Sequence, residues 1–367
     1  MGEYAMKIAD IQVIRLDIPF EDGGTGLGMT PSSWNQCDMV LVKITTDSGI
    51  VGWGEAFSYF CARSVMAMLE DTVIPMLIGQ DAGDPQAISL MLQRRLCLFG
   101  RYGITIFALS GVDIALWDIK AKAAGVPLAQ LIGGMRRDSV AAYASLVRYG
   151  DGAVAAAFTA KARAEGYDFV KLHEITRDAI GPCFDRLDGA QIMIDVNCNW
   201  SEPEARDMAA WLREQGTFWL EEPTFPPEDH AQMGRIAQGL AISGGENLCT
   251  SWQFEGMIRS GDVRYPQPSV TKVGGISEMI RIAALAAENP PAQLMPHSPY
   301  FGPGYLATLQ ICAALPQPPL FEFLYVEPDA WLYRDMPLPQ AGRVAIPQGP
   351  GLGLEPAPEI IAHYRRD

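Results

Sequence analysis

No stretch of the 367 residues is apolar for long enough to cross a bilayer, and the opening residues lack the basic-then-apolar pattern of a secretion signal. A soluble, cytoplasmic protein without a membrane partner is the expectation. A basic stripe is also missing. The formal net charge is −15, which disfavours phosphate backbones and argues against a nucleic-acid partner. The seven cysteines (37, 61, 97, 183, 198, 249, 312) are odd in number and show no C-x-x-C spacing. Reduced thiols are therefore expected, not a disulfide scaffold or a zinc site. No glycine-rich phosphate fingerprint follows a first strand, which weakens an open doubly wound sheet.

What is present is a globular composition, 49% hydrophobic and 19% charged, and enough length for one large α/β barrel or two ordinary domains. "KIADIQVIRLDI" (7–18) alternates like a strand, and "MVLVKITTDSGIVGWGEA" (39–56) reads as two strands about a turn. Between them, 19–37 is a long Gly/Ser/Thr/Pro loop, and long loops in compact domains tend to be functional or disordered. Helical periodicity follows from about Arg63 to Gln130. From about Val140 short apolar strands alternate with amphipathic helices. The polar residues near the strand ends, Ser145, His173, Asp195, Glu221, Glu246, Ser269, His297 and Glu322, recur every 22–28 residues. That is the repeat of a (β/α)8 barrel. The predicted architecture is an α+β cap (1–138), a modified TIM barrel (139–342) and a C-terminal segment (343–367) returning to the cap.

In such barrels the carboxyl ends of the strands form the active face. Asp195, Glu221 and Glu246 close three successive strands. Three carboxylates brought together in a partly buried mouth repel unless a cation neutralises them, and oxygen ligands alone favour Mg2+ over zinc. In "GYDFVKLHEITR" (166–177), Lys171 and His173 are two apart, so on a strand they share a face. His297 closes the seventh strand, roughly opposite. Lys171, His173 and His297 are thus the candidate proton carriers, placed to remove a proton α to a carboxylate and leave an enediolate. Asn197 shares the face of Asp195, Lys272 is a structural or supporting residue, Cys198 alternates away into packing, and Glu222 points away to a structural ion pair. His230 and His363 fall in helices as surface residues. Trp34, Phe57, Tyr59 and Phe60 are candidates for an apolar lid, with Arg63 nearby.

The chain resembles the enolase superfamily, specifically the mandelate racemase/muconate-lactonizing group and its acid-sugar branch. "ALSGVDIALWDIKAKAAGVPLAQLIGG" (108–134) is similar to the capping-domain signature; "IDVNCNW", "WLEEP" and "GGEN" are similar to the three metal-ligand segments. "PSVTKVGG" (268–275), "MPHSPYFGPG" and "QGPGLGLE" (348–355) complete the likeness. The resemblance implies Mg2+ on Asp195, Glu221 and Glu246, Glu322 hydrogen-bonding the substrate carboxylate, a lid from 19–37 and 56–62, and a homo-oligomer. Two positions depart from the family pattern. Lys171-x-His173 stands where Lys-x-Lys is usual, and Ser269 stands where an aspartate pairs with the seventh-strand histidine. Serine can orient His297 but cannot stabilise its imidazolium by charge.

The activity expected is Mg2+-dependent α-proton abstraction from a small hydroxy or sugar acid followed by β-elimination of water, with His173 as base and His297 protonating the leaving hydroxyl. A racemase, epimerase or lactone cycloisomerase is the alternative. A catalytically silent metal-binding homologue is the alternative of another class, and a Schiff-base aldolase on Lys171 would not need three acids.

Overall fold

The computed structural model describes residues 6–28 and 34–366. Part of the expected lid, 29–33, lies outside them. The cap is an antiparallel sheet of β1 (Ile8–Glu21), β2 (Gln36–Thr46) and β3 (Val51–Ala56). Pairing of β1 with β2 runs out to Pro19↔Gln36, and the Phe20 N–H donates to the Asn35 carbonyl at 3.0 Å. These bonds shorten the predicted 19–37 loop at both ends. The β2–β3 turn needs Gly49, whose φ of +85° strains any side chain although nothing lies near its would-be Cβ.

Helix Gly103–Ala124 joins cap to barrel. Fifteen of its residues are buried, apolar on every side, as expected of a helix enclosed by two cores. Ile114 and Trp117 belong to the barrel core, while Ile106, Val112 and Ile119 belong to the cap core. A Cβ at Gly54 would stand 1.8 Å from the Gly111 carbonyl, so glycine lets β3 lie directly on this helix. Asp113 accepts from the Ser277 N–H at 2.9 Å and Asp118 from the Leu352 N–H at 2.8 Å, which fastens the helix to the barrel and to the tail.

The barrel strands are β4 (Ser139–Ser145), β5 (Phe169–Leu172), β6 (Gln191–Asp195), β7 (Trp219–Glu221), β8 (Ile242–Gly244), β9 (Tyr265–Pro266) and β10 (Phe321–Leu324). They are parallel, with β10 beside β4. The seventh strand expected at 292–298 is not a regular strand. Gln293, Met295 and His297 donate backbone N–H groups to Arg264, Pro266 and Pro268. The return bonds would have to come from backbone N–H groups at positions 266 and 268, and the prolines there have no N–H to donate. Only the Ser269↔His297 bridge remains. Beyond the barrel, β11 (Glu327–Pro328) and β13 (Arg365–Arg366) pair with β1, and β12 (Arg343–Ala345) pairs with β4. No helix among the described residues is long and apolar enough to cross a membrane.

Glu55 on β3 is fully enclosed and accepts the Gly304 N–H at 2.8 Å; burial pushes its carboxyl up to about 7. The unfolded chain therefore loses this proton near its ordinary value while the folded chain retains it, so stability falls as pH rises between about 4.5 and 7. Replacing Glu55→Gln should flatten urea-derived stability against pH by about 1.4 kcal/mol per pH unit in mid-window. An unchanged slope would show that Glu55 is ionised in the fold.

Candidate active site

Each of the three acids is placed by a strand end or the turn after it. Asp195 is the last residue of β6, and one of its oxygens takes the Asn197 N–H at 2.9 Å. Glu221 ends β7; its Oε2 is fixed by Trp219 Nε1 at 3.1 Å and Gln267 Nε2 at 2.9 Å, and its Oε1 accepts from Lys171 Nζ at 3.1 Å. Glu246 follows β8 by way of Gly245, at φ +113°, where a Cβ would meet the Phe254 ring at 2.8 Å. One oxygen from each acid lies within 4.8 Å of the others. Burial pushes the Glu221 carboxyl well up, with Asp195 adding to it, which is the electrostatic signature of a site short of positive charge.

Lys171 and His173 do converge: Lys171 Nζ is 3.3 Å and His173 Nε2 3.1 Å from the same Asp195 oxygen. Their roles differ, however. Lys171 has no exposed surface and also contacts Glu221 at 3.1 Å and Glu322 at 2.9 Å. Burial would lower its ammonium, but Glu221, Glu322 and Asp195 outweigh it and hold the ammonium well above the ordinary lysine value. Lys171, expected as a proton carrier, is thus ion-paired with three carboxylates, and its Nζ lies 5.6 Å from the centre of the Tyr143 ring. His173 faces the cavity instead. Its Nδ1 meets the Leu146 carbonyl at 2.5 Å, which must accept a proton from it, so the neutral ring keeps its lone pair on Nε2.

On the other side His297 Nε2 lies 2.7 Å from Glu246 and 3.8 Å from Glu322. Its Nδ1 is 3.2 Å from Ser269 Oγ, which in turn hydrogen-bonds the buried Tyr300 hydroxyl. His297, together with Lys272, holds the Glu246 carboxyl down to about 2 against the effect of burial. Glu322 accepts from Ser145 Oγ at 2.8 Å and from the Ser298 N–H at 2.9 Å.

Ser145, His173, Glu246, His297 and Glu322 border one cavity of about 390 Å³, walled also by Trp34, Phe57, Tyr59, Arg148, Asn197, Asn199, Asn247 and Lys272. That is near the small end of the range of about 300–1,000 Å³ for small-molecule sites. Residues 153–360 match the family described as "Enolase C-terminal domain-like", and residues 18–133 match "Mandelate racemase / muconate lactonizing enzyme, N-terminal domain". The chain belongs to the enolase superfamily. It is 33% identical to the D-galactarolactone cycloisomerase of Agrobacterium fabrum over 96% of both chains. It is 29% identical to the arabinonate dehydratase of Saccharolobus solfataricus over 89% of this chain and 91% of that protein. A crystallised enolase-superfamily member from Agrobacterium tumefaciens superposes with a TM-score of 0.88 at 26% identity, covering 98% of this chain and 99% of that one.

Within this enolase-superfamily site several sequence expectations are corrected. β6 ends at Asp195, so strand alternation no longer governs the next residues. Asn197 and Cys198 take positive φ (46° and 61°), and the Cys198 thiol turns to Glu222 at 3.6 Å. Glu222 makes no ion pair among the described residues; it accepts from the Gly245 N–H at 3.0 Å and Asn247 Nδ2 at 2.8 Å. Phe60 is 75% exposed and does not border the cavity, nor does Arg63. His230 is the first residue of helix His230–Ala237 and only partly exposed. Sequence reasoning missed Arg148 and Tyr300. Arg148 follows the end of β4 by three residues, and that offset from a strand end was the available signal.

Proposed function

We propose that the chain is a Mg2+-dependent sugar-acid lyase, working in a cytoplasm, which removes the proton α to a substrate carboxylate and expels an oxygen from the β carbon. The observation that carries this reading is the pair of imidazoles, His173 and His297, facing one cavity that Glu246 borders, with one oxygen each of Asp195, Glu221 and Glu246 within 4.8 Å of the others. These three would hold the cation: all donors are carboxylate oxygens, the choice of a hard divalent ion, and Lys171 alone cannot balance them together with Glu322. When bound, the cation supplies the positive charge that an enediolate needs.

His173 accepts the α-proton at Nε2, the nitrogen left free by the bond to Leu146. The C–H electron pair becomes the enediolate double bond. As that pair moves on to form the α–β double bond, the β C–O bond breaks and His297 gives the departing oxygen its proton. Ser269 keeps His297 turned toward the cavity. Glu322, held by Ser145 and Ser298 and kept ionised by the Lys171 ammonium against the effect of burial, is placed to orient His297.

If the departing oxygen is a free hydroxyl, water leaves and the enol becomes a 2-keto-3-deoxy acid. If that oxygen belongs to a ring, the ring opens without loss of mass. This second reading, a cycloisomerase, is favoured by the likeness to a D-galactarolactone cycloisomerase along nearly the full chain. Mass spectrometry of products from a panel of sugar acids and lactones decides. A keto acid lighter by one water selects dehydration, and an isomeric keto acid selects ring opening. Absence of any keto product across the panel rejects elimination.

A further inference from the structure

Arg148 lies in the loop after β4, half-buried on the cavity wall, and its guanidinium is bolted in place. Nε donates to the His173 carbonyl at 2.7 Å and Nη2 to Asn197 Oδ1 at 3.1 Å. The backbone beside it is fixed as well: the Tyr149 and Gly150 N–H groups donate to Glu174 at 2.6 and 3.1 Å. From above, the lid loop presses on it so closely that a Cβ at Gly28 would stand 1.7 Å from the Arg148 carbonyl oxygen. This side chain is preorganised.

Among the described residues no carboxylate lies within ion-pair distance of Arg148, although nine other arginines have one. Burial works against its charge and outweighs Asp195 and Glu174, which lie near enough to favour it but do not touch it, so a contacting anion would relieve the cost of half-burying the guanidinium. Two of its nitrogens are engaged by protein oxygens, and among the described residues Nη1 has no hydrogen-bond partner. Its polar neighbours on the wall are more fully occupied. Asn199 Nδ2 bonds the Val196 and Asn197 carbonyls, Asn247 Nδ2 bonds Glu222 and Glu246, and Lys272 turns to Asn247 and the face of Phe57. A rigid guanidinium edge opening into an aqueous cavity matches a planar carboxylate better than a lone hydroxyl.

We propose that Arg148 determines specificity by receiving a second carboxylate of the substrate, so that the acid taken is a dicarboxylic sugar acid instead of a monocarboxylic one. This deepens the reading above and rests on it for the position of the reacting carboxylate, at the metal-binding acids.

Matched pairs test it: galactarate against galactonate, and glucarate against gluconate, differ only in whether the far carbon is a carboxylate or a hydroxymethyl. Turnover and calorimetric binding in Mg2+ buffer are compared for the parent protein, Arg148→Gln and Arg148→Lys. In at least one pair the parent should favour the dicarboxylate by about tenfold or more. Arg148→Gln should bring that ratio to within about threefold, mainly through KM, and Arg148→Lys should fall between. No preference for the dicarboxylate in either pair, or equal losses for both members in Arg148→Gln, would overturn the proposal. Binding selectivity that collapses in Arg148→Gln without any turnover would uphold Arg148 while rejecting elimination, so the two readings fail separately.

Discussion

His173→Asn is expected to slow exchange of the substrate α-proton by about 10³-fold or more, the scale of a positioned general base. Asparagine fills similar space and can keep the bond to the Leu146 carbonyl through its amide, but it offers no basic nitrogen at the place of Nε2. The loss should fall on the chemical step, so kcat should drop while binding of a non-reacting analogue holds. The measurement is deuterium incorporation at the α carbon in D2O, followed for His173→Asn and His297→Asn side by side. Under the assignment above, His297→Asn still exchanges the proton but forms product slowly, because its work comes after abstraction. Exchange that persists in His173→Asn and vanishes in His297→Asn would reverse the two faces.

Lys171→Met should produce the largest loss of stability, on the order of 3–5 kcal/mol in metal-free buffer at neutral pH. Methionine occupies much of the same volume, but Asp195, Glu221 and Glu322 lose the ammonium that lies within 3.3 Å of each of them. The sign of the pH response follows. Without the cation these carboxylates are driven toward protonation in the fold, so the unfolded chain binds fewer protons and the variant gains stability as pH falls toward the ordinary carboxylate range. A divalent cation should restore part of the loss by binding the folded state alone. Urea titrations with and without Mg2+ read both effects. A loss below about 1 kcal/mol would mean that the acids are already neutral in the fold and Lys171 is dispensable.

The barrel was legible because its chemistry is periodic. Asp195 and Glu221 stand at strand ends and Glu246 two residues beyond one, so a repeat length sufficed to bring them together. The i, i+2 rule likewise put Lys171 and His173 on one oxygen of Asp195. What the rule could not tell was depth. Lys171 stops within a ring of acids whereas His173, one step further out, reaches the cavity, and only packing separates a counter-charge from a base. Beyond the strand ends periodicity stops carrying information. Asn197, Cys198 and Glu222 all adopt positive φ, and there the turn decides where each side chain goes. Arg148 and Tyr300 were invisible for the same reason: each belongs to a segment after a strand, and its partner is many residues away in sequence. The prolines that thin the seventh strand were in plain view, but their effect required knowing which backbone groups they faced. For the expected lid, apolar character alone singled out Trp34, Phe57 and Tyr59, which border the cavity, and equally Phe60, which projects outward.

The central claim is that three carboxylates and a divalent cation together make an α-proton removable by His173. Its most direct measurement is α-deuterium incorporation in D2O from a panel of mono- and dicarboxylic sugar acids, run on chelated protein and again after adding Mg2+. The account predicts no exchange in the chelated protein and full recovery with Mg2+ for at least one acid. Exchange that ignores chelation, or none with any acid at saturating Mg2+, would contradict it.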